Sequence, residues 1–126
     1  MAKILIIEDS PSQAAIIAAI VAQAGHKPAV YSQLPMGIGQ LLAMEQPDLV
    51  LLDLRLLDAQ GNLVADGFQI CREIKRSPQR PPVIVVSAER DEDAREWAVM
   101  QGADGFLEKP FAVGDLTRAI DEALQS

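Results

Sequence analysis

The chain has 126 residues, 49% of them apolar and 23% charged, and a net charge of −7. That length suits one domain burying about 70% of its unfolded surface; the acidic balance argues against direct nucleic-acid binding, and no apolar run approaches the roughly 20 residues that span a bilayer. A single cysteine, Cys71, excludes an internal disulfide and any CxxC metal site, while Glu8 and Asp9 break the first apolar run too early for a signal peptide, so a cytoplasmic protein is expected.

Lys3–Glu8 reads as a strand whose apolar run is too continuous for a one-sided sheet. Ser10 as N-cap, Pro11 at the first helical position and Gln13 closing a capping box then start a helix that runs to about Ala24 and stops at Gly25. Pro28–Tyr31 is a short strand suited by its proline to a sheet edge, and Ile38–Gln46 is a helix ended by Pro47. Asp48–Asp53 is a second buried strand. Gly67–Arg76 is a helix with Phe68, Cys71 and Ile74 on one side, and Pro82–Ser87 is a third buried strand. Asp91–Gln101 is a helix with acids at its first turn, which suits its dipole. Gly105–Glu108 is a strand, and Ala112–Leu124 an amphipathic helix. Strands alternating with helices imply a parallel sheet covered on both faces, a doubly wound α/β domain.

Ligands of such sheets sit beyond the carboxyl ends of the strands. Glu8, Asp9, Asp53, Ser87 and Lys109 all fall there. Two carboxylates at ~4 Å repel by roughly 4 kcal/mol at an effective dielectric near 20, so either one is protonated or a cation lies between them. The nearby donors are all oxygens, which suits Mg²⁺, with Mn²⁺ able to substitute. Such an ion holds a phosphoryl oxygen while a carboxylate attacks phosphorus. Lys109 can then balance phosphate charge and Ser87 can donate a hydrogen bond. Taken singly, each residue also fits a solvated strand end, a turn or plain surface; their convergence on one sheet edge is the informative feature.

The stretches "IIEDS", "VLLDL", "VIVVSA" and "GADGFLEKPF", in that order and across essentially the whole chain, resemble the receiver domains of two-component response regulators. The resemblance implies a flavodoxin-like five-stranded sheet in the order 2-1-3-4-5. It implies that Asp53 accepts a phosphoryl group from a histidine kinase or a histidine phosphotransfer protein. Asp9, Asp53 and the backbone carbonyl of Arg55 would bind Mg²⁺, with Glu8 acting through water. Lys109, joined to Pro110 by a cis bond, would pair with the phosphate, and the Ala88 backbone would contact it. Ser87 would move toward the phosphate and Phe106 would turn inward, changing the face that a downstream target protein reads. That face, in the family, includes Arg90, Asp91, Arg95, Val99 and Phe106. Arg55 and Glu89 flank the site mouth, where the family tunes phosphoryl lifetime. The chain would catalyse nothing beyond its own phosphorylation and dephosphorylation. A single domain with no output domain is expected, with protein binding as its output.

The chain departs from the family pattern after Asp53. Leu56-Leu57 replace the usual Met-Pro, and Asp66-Gly67 comes late, behind an insertion near Ala59–Ala65. Gln60-Gly61-Asn62 between short apolar stretches suggests a small hairpin. It is either a tolerated surface insertion or an element that shields Asp53 or contacts a partner. The first helix, "AAIIAAIVAQA", is apolar nearly all round, from its alanine content or as a docking surface. Trp97 is expected to anchor packing and Cys71 to behave as a small buried hydrophobe. Two rivals stand beside the phosphoacceptor reading. A metal-dependent phosphatase usually wants an acid two residues after its nucleophile, where this chain has Arg55. A phosphorylation-independent interaction module usually loses one of the acids or the lysine, which are all present. His26, the only histidine, follows a helix end far from the acids, which disfavours a histidine-based triad.

Overall fold

The computed structural model describes residues 2–32, 36–53, 55–57, 63–87 and 92–125. Its elements run β1 (Lys3–Ile7), α1 (Pro11–Gln23), β2 (Lys27–Tyr31), α2 (Ile38–Glu45), β3 (Leu49–Asp53), β4 (Arg55–Leu57), β5 (Leu63–Asp66), α3 (Gly67–Arg76), β6 (Val83–Ser87), α4 (Glu92–Met100), β7 (Gly105–Glu108) and α5 (Val113–Gln125). Five of the strands form one parallel sheet in the order β2-β1-β3-β6-β7. Counted along those five strands this is the 2-1-3-4-5 order. The other two, β4 and β5, pair antiparallel as a separate hairpin on either side of Gln60-Gly61-Asn62.

Alternation along each strand divides the core into two layers, because successive side chains point to opposite faces. Leu5, Ile7, Val50, Leu52, Val83 and Val85 pack with Ile38, Leu41, Ile70, Cys71, Ile74 and Ala98 from α2, α3 and α4. Ile4, Ile6, Leu49, Leu51 and Ile84 pack on the opposite face with Ile17, Ile20, Val21, Leu116 and Ile120 from α1 and α5. Each fully buried side chain of this kind contributes about 1.5–3 kcal/mol. The central strands β3 and β6 are buried along their whole length and β1 from Ile4 onward, which is why they read as unbroken apolar runs.

The local signals hold with two amendments. Ser10 caps α1 by accepting from Gln13 N, and Pro11 opens the helix. The reciprocal half of the capping box is replaced: the Ser10 N–H donates to Glu8 Oε1 at 3.3 Å, so an acid of the strand end takes the role expected of Gln13. Trp97 is 51% exposed and does not anchor the core. The sheet-facing position of α4 belongs to Ala98, one helical step of about 100° away, so Trp97 lies on the helix flank. The buried stripe of α1 is Ala14, Ile17, Ile20 and Val21, and the middle of its outward side carries Ala15, Ala19 and Ala22 beside Ile16, which is 59% exposed.

Smaller contacts tie the layers. Lys3 Nζ lies 2.5 Å from Glu45, whose carboxylate also accepts from the Tyr31 hydroxyl, linking β1, β2 and the end of α2. Lys3 and then Tyr31 hold the Glu45 carboxyl below the usual carboxylate range. Ala2 N donates to His26 Nδ1 at the amino end of β1, away from the acids. Burial pushes the Cys71 thiol up to about 11, so it stays an unreactive core group. At the foot of β7, Gly102 adopts φ +96°, a left-handed turn that ends α4. Among the described residues, no helix is long and apolar enough to cross a membrane.

Candidate functional site

The site is built where three neighbouring strands end. Glu8 and Asp9 leave β1, Asp53 closes β3, and Ser87 closes β6. The ladder register sets Ile7 beside Leu52, and Asp53 beside Val86, one residue before Ser87. Parallel neighbours end at the same sheet edge, so a run of apolar partners forces the next residues into one cluster. Backbone bonds extend the ladders past the strands: Glu8 N donates to Tyr31 O at 3.0 Å and Lys109 N to Ser87 O at 2.8 Å. The second bond fixes where Lys109 departs from the sheet, immediately before the cis Lys109-Pro110 bond.

Glu8, Asp9 and Asp53 bring their ligand atoms within 4.8 Å of one another. Glu8 is 2% and Asp53 8% exposed, Ser87 is buried at 1%, and Asp9 is half-buried. Lys109 Nζ reaches across from β7, 3.0 Å from Glu8 Oε2 and 3.8 Å from Asp53 Oδ1. The first distance is a charge-assisted hydrogen bond and the second an ion pair without one. With Ser10 N on its other oxygen, Glu8 is satisfied at both ends inside the protein. Three carboxylates against one ammonium leave an excess of negative charge in a small volume. Hard, anionic, all-oxygen donors of this kind fit a divalent cation of the Mg²⁺ type.

The remaining expected residues lie as follows. Phe106 stands in β7 in register with Val85, half-buried against the core layer of α3 and α4. The Arg95 guanidinium of α4 sits over its ring, 5.0 Å from the centroid, a cation–π contact that no sequence spacing announced. Val99 is exposed on the same helix. The backbone of Arg55 opens β4 two residues after Asp53, while its side chain lies outside the described residues, as do Ala88, Glu89, Arg90 and Asp91. Beside Lys109, an open apolar groove of about 450 Å³ is lined by Gln13, Ile16, Ile17, Lys109, Pro110 and Phe111. The Lys109–Glu8 pair was also unforeseen. A glutamate buried beside two aspartates signals the need for a cation, but nothing local says which of the four lysines supplies it.

Comparison with known proteins bears on this geometry. Residues 4–121 match the family model of the response regulator receiver domain. Protein PilH of Pseudomonas aeruginosa is 32% identical over 127 residues, covering 98% of this chain and 98% of that protein. Longer relatives also match, among them the KDP operon transcriptional regulatory protein KdpE of Escherichia coli, 39% identical over 83 residues, 66% of this chain and 34% of that protein. Among solved structures, the receiver domain of the sensor histidine kinase PA1611 from Pseudomonas aeruginosa, with a magnesium ion coordinated in its active site cleft, superposes with a TM-score of 0.81 at 26% identity, over 99% of this chain and 98% of that one.

Proposed function

The chain belongs to the response regulator receiver domain family, a family of phosphoacceptor signalling switches, and on that footing we propose that Asp53 is its phosphoacceptor. The observation that carries this reading is the convergence of Glu8, Asp9 and Asp53 at one sheet edge with the Lys109 ammonium 3.0 Å from Glu8 and 3.8 Å from Asp53. An Asp53 carboxylate oxygen attacks the phosphorus of a phosphohistidine on a histidine kinase or histidine phosphotransfer protein. The P–O bond forms as the P–N bond breaks, and the imidazole nitrogen leaves with the bonding electron pair. Lys109, already beside Asp53, offsets charge on the transferred group, and the buried Ser87 hydroxyl is placed one register step beyond Asp53 to hydrogen-bond it.

Asp9 and Asp53, with the Arg55 carbonyl and Glu8 through water, are the residues that would hold Mg²⁺. When bound, the ion supplies neutralisation of the phosphoryl oxygens. The Mg²⁺-bearing PA1611 receiver domain supports the assignment by similarity. Phosphorylation at Asp53 adds charge beneath Ser87, and the response passes through Phe106 and Arg95 to the α4 surface that a downstream target protein would read. The groove beside Ile16 and Lys109 suits the apolar contact of a phosphodonor.

The test is incubation with acetyl phosphate, with and without Mg²⁺, followed by intact-mass spectrometry. A labile, Mg²⁺-dependent phosphoryl adduct is expected on the wild-type chain and not on Asp53→Asn. A folded wild-type chain that stays unlabelled under every condition would favour a phosphorylation-independent interaction module.

A further inference from the structure

The face formed by α3 and α4 carries charge and apolar surface that the phosphoacceptor chemistry does not use. Trp97, Val99 and Met100 of α4 are 51%, 64% and 72% exposed; elsewhere among the described residues, exposed large apolar side chains occur one to an element. Ala98 faces the sheet, so at about 100° per residue Trp97 lies on one flank of α4, and Arg95 and Val99 on the other. Arg95 meets Phe106 of β7, which turns the Trp97 flank toward α3. Glu96 and Met100, one turn apart and both exposed, point outward between the flanks. On α3, Arg72 and Arg76 are likewise one turn apart and exposed, outward of the buried Ile70, Cys71 and Ile74. Both helices lead into parallel strands, so they run the same way. Cys71 Sγ lies 3.8 Å from Gln101 O, which sets the middle of α3 level with the end of α4. Glu96 therefore stands nearer the acid site and Arg76 nearer the opposite edge. From Arg72 to Arg80 this acidic chain has four basic residues and one acid, Glu73, whereas α4 has Glu92, Asp93 and Glu96 against Arg95 alone. Positive and negative charge thus occupy diagonal corners of one face, with Met100 and Trp97 between them.

We propose that this face docks a second copy of the chain in a two-fold symmetric dimer. In a two-fold contact one patch meets itself, so each group finds its partner in the patch's other half. An axis crossing between the two corners places Arg72 and Arg76 of each copy against Glu96 of the other, with Met100 and Trp97 at the centre. Apolar and aromatic side chains inside a charged rim are the usual composition of such contacts. A partner of a single charge sign would repel half of the patch. A second copy matches both halves at once, which singles it out as the occupant. The Arg95 and Val99 flank stays outside the contact. No phosphoryl group is needed, so the dimer does not depend on Asp53 being the acceptor.

Analytical ultracentrifugation of the unphosphorylated chain should show a monomer–dimer equilibrium with no larger species, in the micromolar range expected of a contact of modest area. The dimer should weaken as salt rises, because its charge pairs lie at the rim. Two variants reverse one corner each: Arg72→Glu with Arg76→Glu, and Glu96→Arg. Each alone is expected to weaken the dimer by about tenfold or more, since like charges then face one another. Their equimolar mixture should form a heterodimer within about threefold of wild-type affinity, because the reversed corners match across the two chains. That recovery also shows that both variants are folded. Met100→Lys, at the centre, should abolish the dimer whatever the charge at the corners. A wild-type chain that stays monomeric up to about 500 µM overturns the inference. So do variants that dimerise as the wild type does, and a mixture that associates no better than its parts. Larger species that grow with concentration would mean a head-to-tail contact, and would overturn it as well.

Discussion

Lys109→Met is expected to destabilise the fold by about 3 kcal/mol in Mg²⁺-free buffer, the cost of leaving a buried charge without its partner. The lysine side chain is 13% and that of Glu8 3% exposed, so solvent screens the pair little. Removal of the ammonium takes from the Glu8 carboxylate, beside Asp9 and Asp53, its charge-assisted hydrogen bond at 3.0 Å. Methionine keeps most of the volume, so the loss measures charge rather than packing. Adding Glu8→Gln to Lys109→Met should recover more than half of the loss, because the uncompensated charge is then gone. Urea denaturation of the four chains checks this. A single-variant loss below about 0.5 kcal/mol would mean that the pair is as weak as an exposed one.

Mg²⁺ is expected to raise the thermal midpoint by about 8–10 °C at a hundredfold excess over its dissociation constant, equivalent to about 2.7 kcal/mol of binding linkage. The cause is the excess of negative charge among Glu8, Asp9, Asp53 and Lys109. Asp9→Asn and Asp53→Asn should each remove most of the shift. Asp53→Asn should also raise stability without the ion, by about 1 kcal/mol, since two like charges nearby outweigh the one ammonium at 3.8 Å. Differential scanning fluorimetry across a Mg²⁺ series reads all of these. A shift of the same size in Asp9→Asn and the wild-type chain would place the cation elsewhere.

The sheet was legible because parallel strands buried on both faces leave runs such as "KILII", "LVLLD" and "VIVVS", and prolines and glycines bound the helices. The strand-end acids were legible for the same reason: a polar residue after a fully buried run marks the sheet edge. Side-chain pairing across the fold was not. Nothing local tells that the Ser10 N–H would choose Glu8 over Gln13, since both lie within reach. Arg95 meets Phe106 because α4 crosses β7 at that point, which is a property of packing rather than spacing. Trp97 misled for a related reason. A lone large aromatic suggests a core anchor, yet α4 approaches the sheet closely through Ala98 and turns the indole to its flank. The hairpin was foreshadowed by Gln60-Gly61-Asn62, a turn signal strong enough to register without tertiary help.

The most direct test of the central claim is to locate the phosphoryl group. After acetyl phosphate treatment with Mg²⁺, borohydride reduces an aspartyl phosphate to homoserine, which survives digestion and peptide sequencing by mass spectrometry. Homoserine at residue 53, and at no other aspartate, is the predicted result. Homoserine at Asp9 or another acid, or an adduct that borohydride leaves untouched, would contradict the assignment of Asp53 as the acceptor.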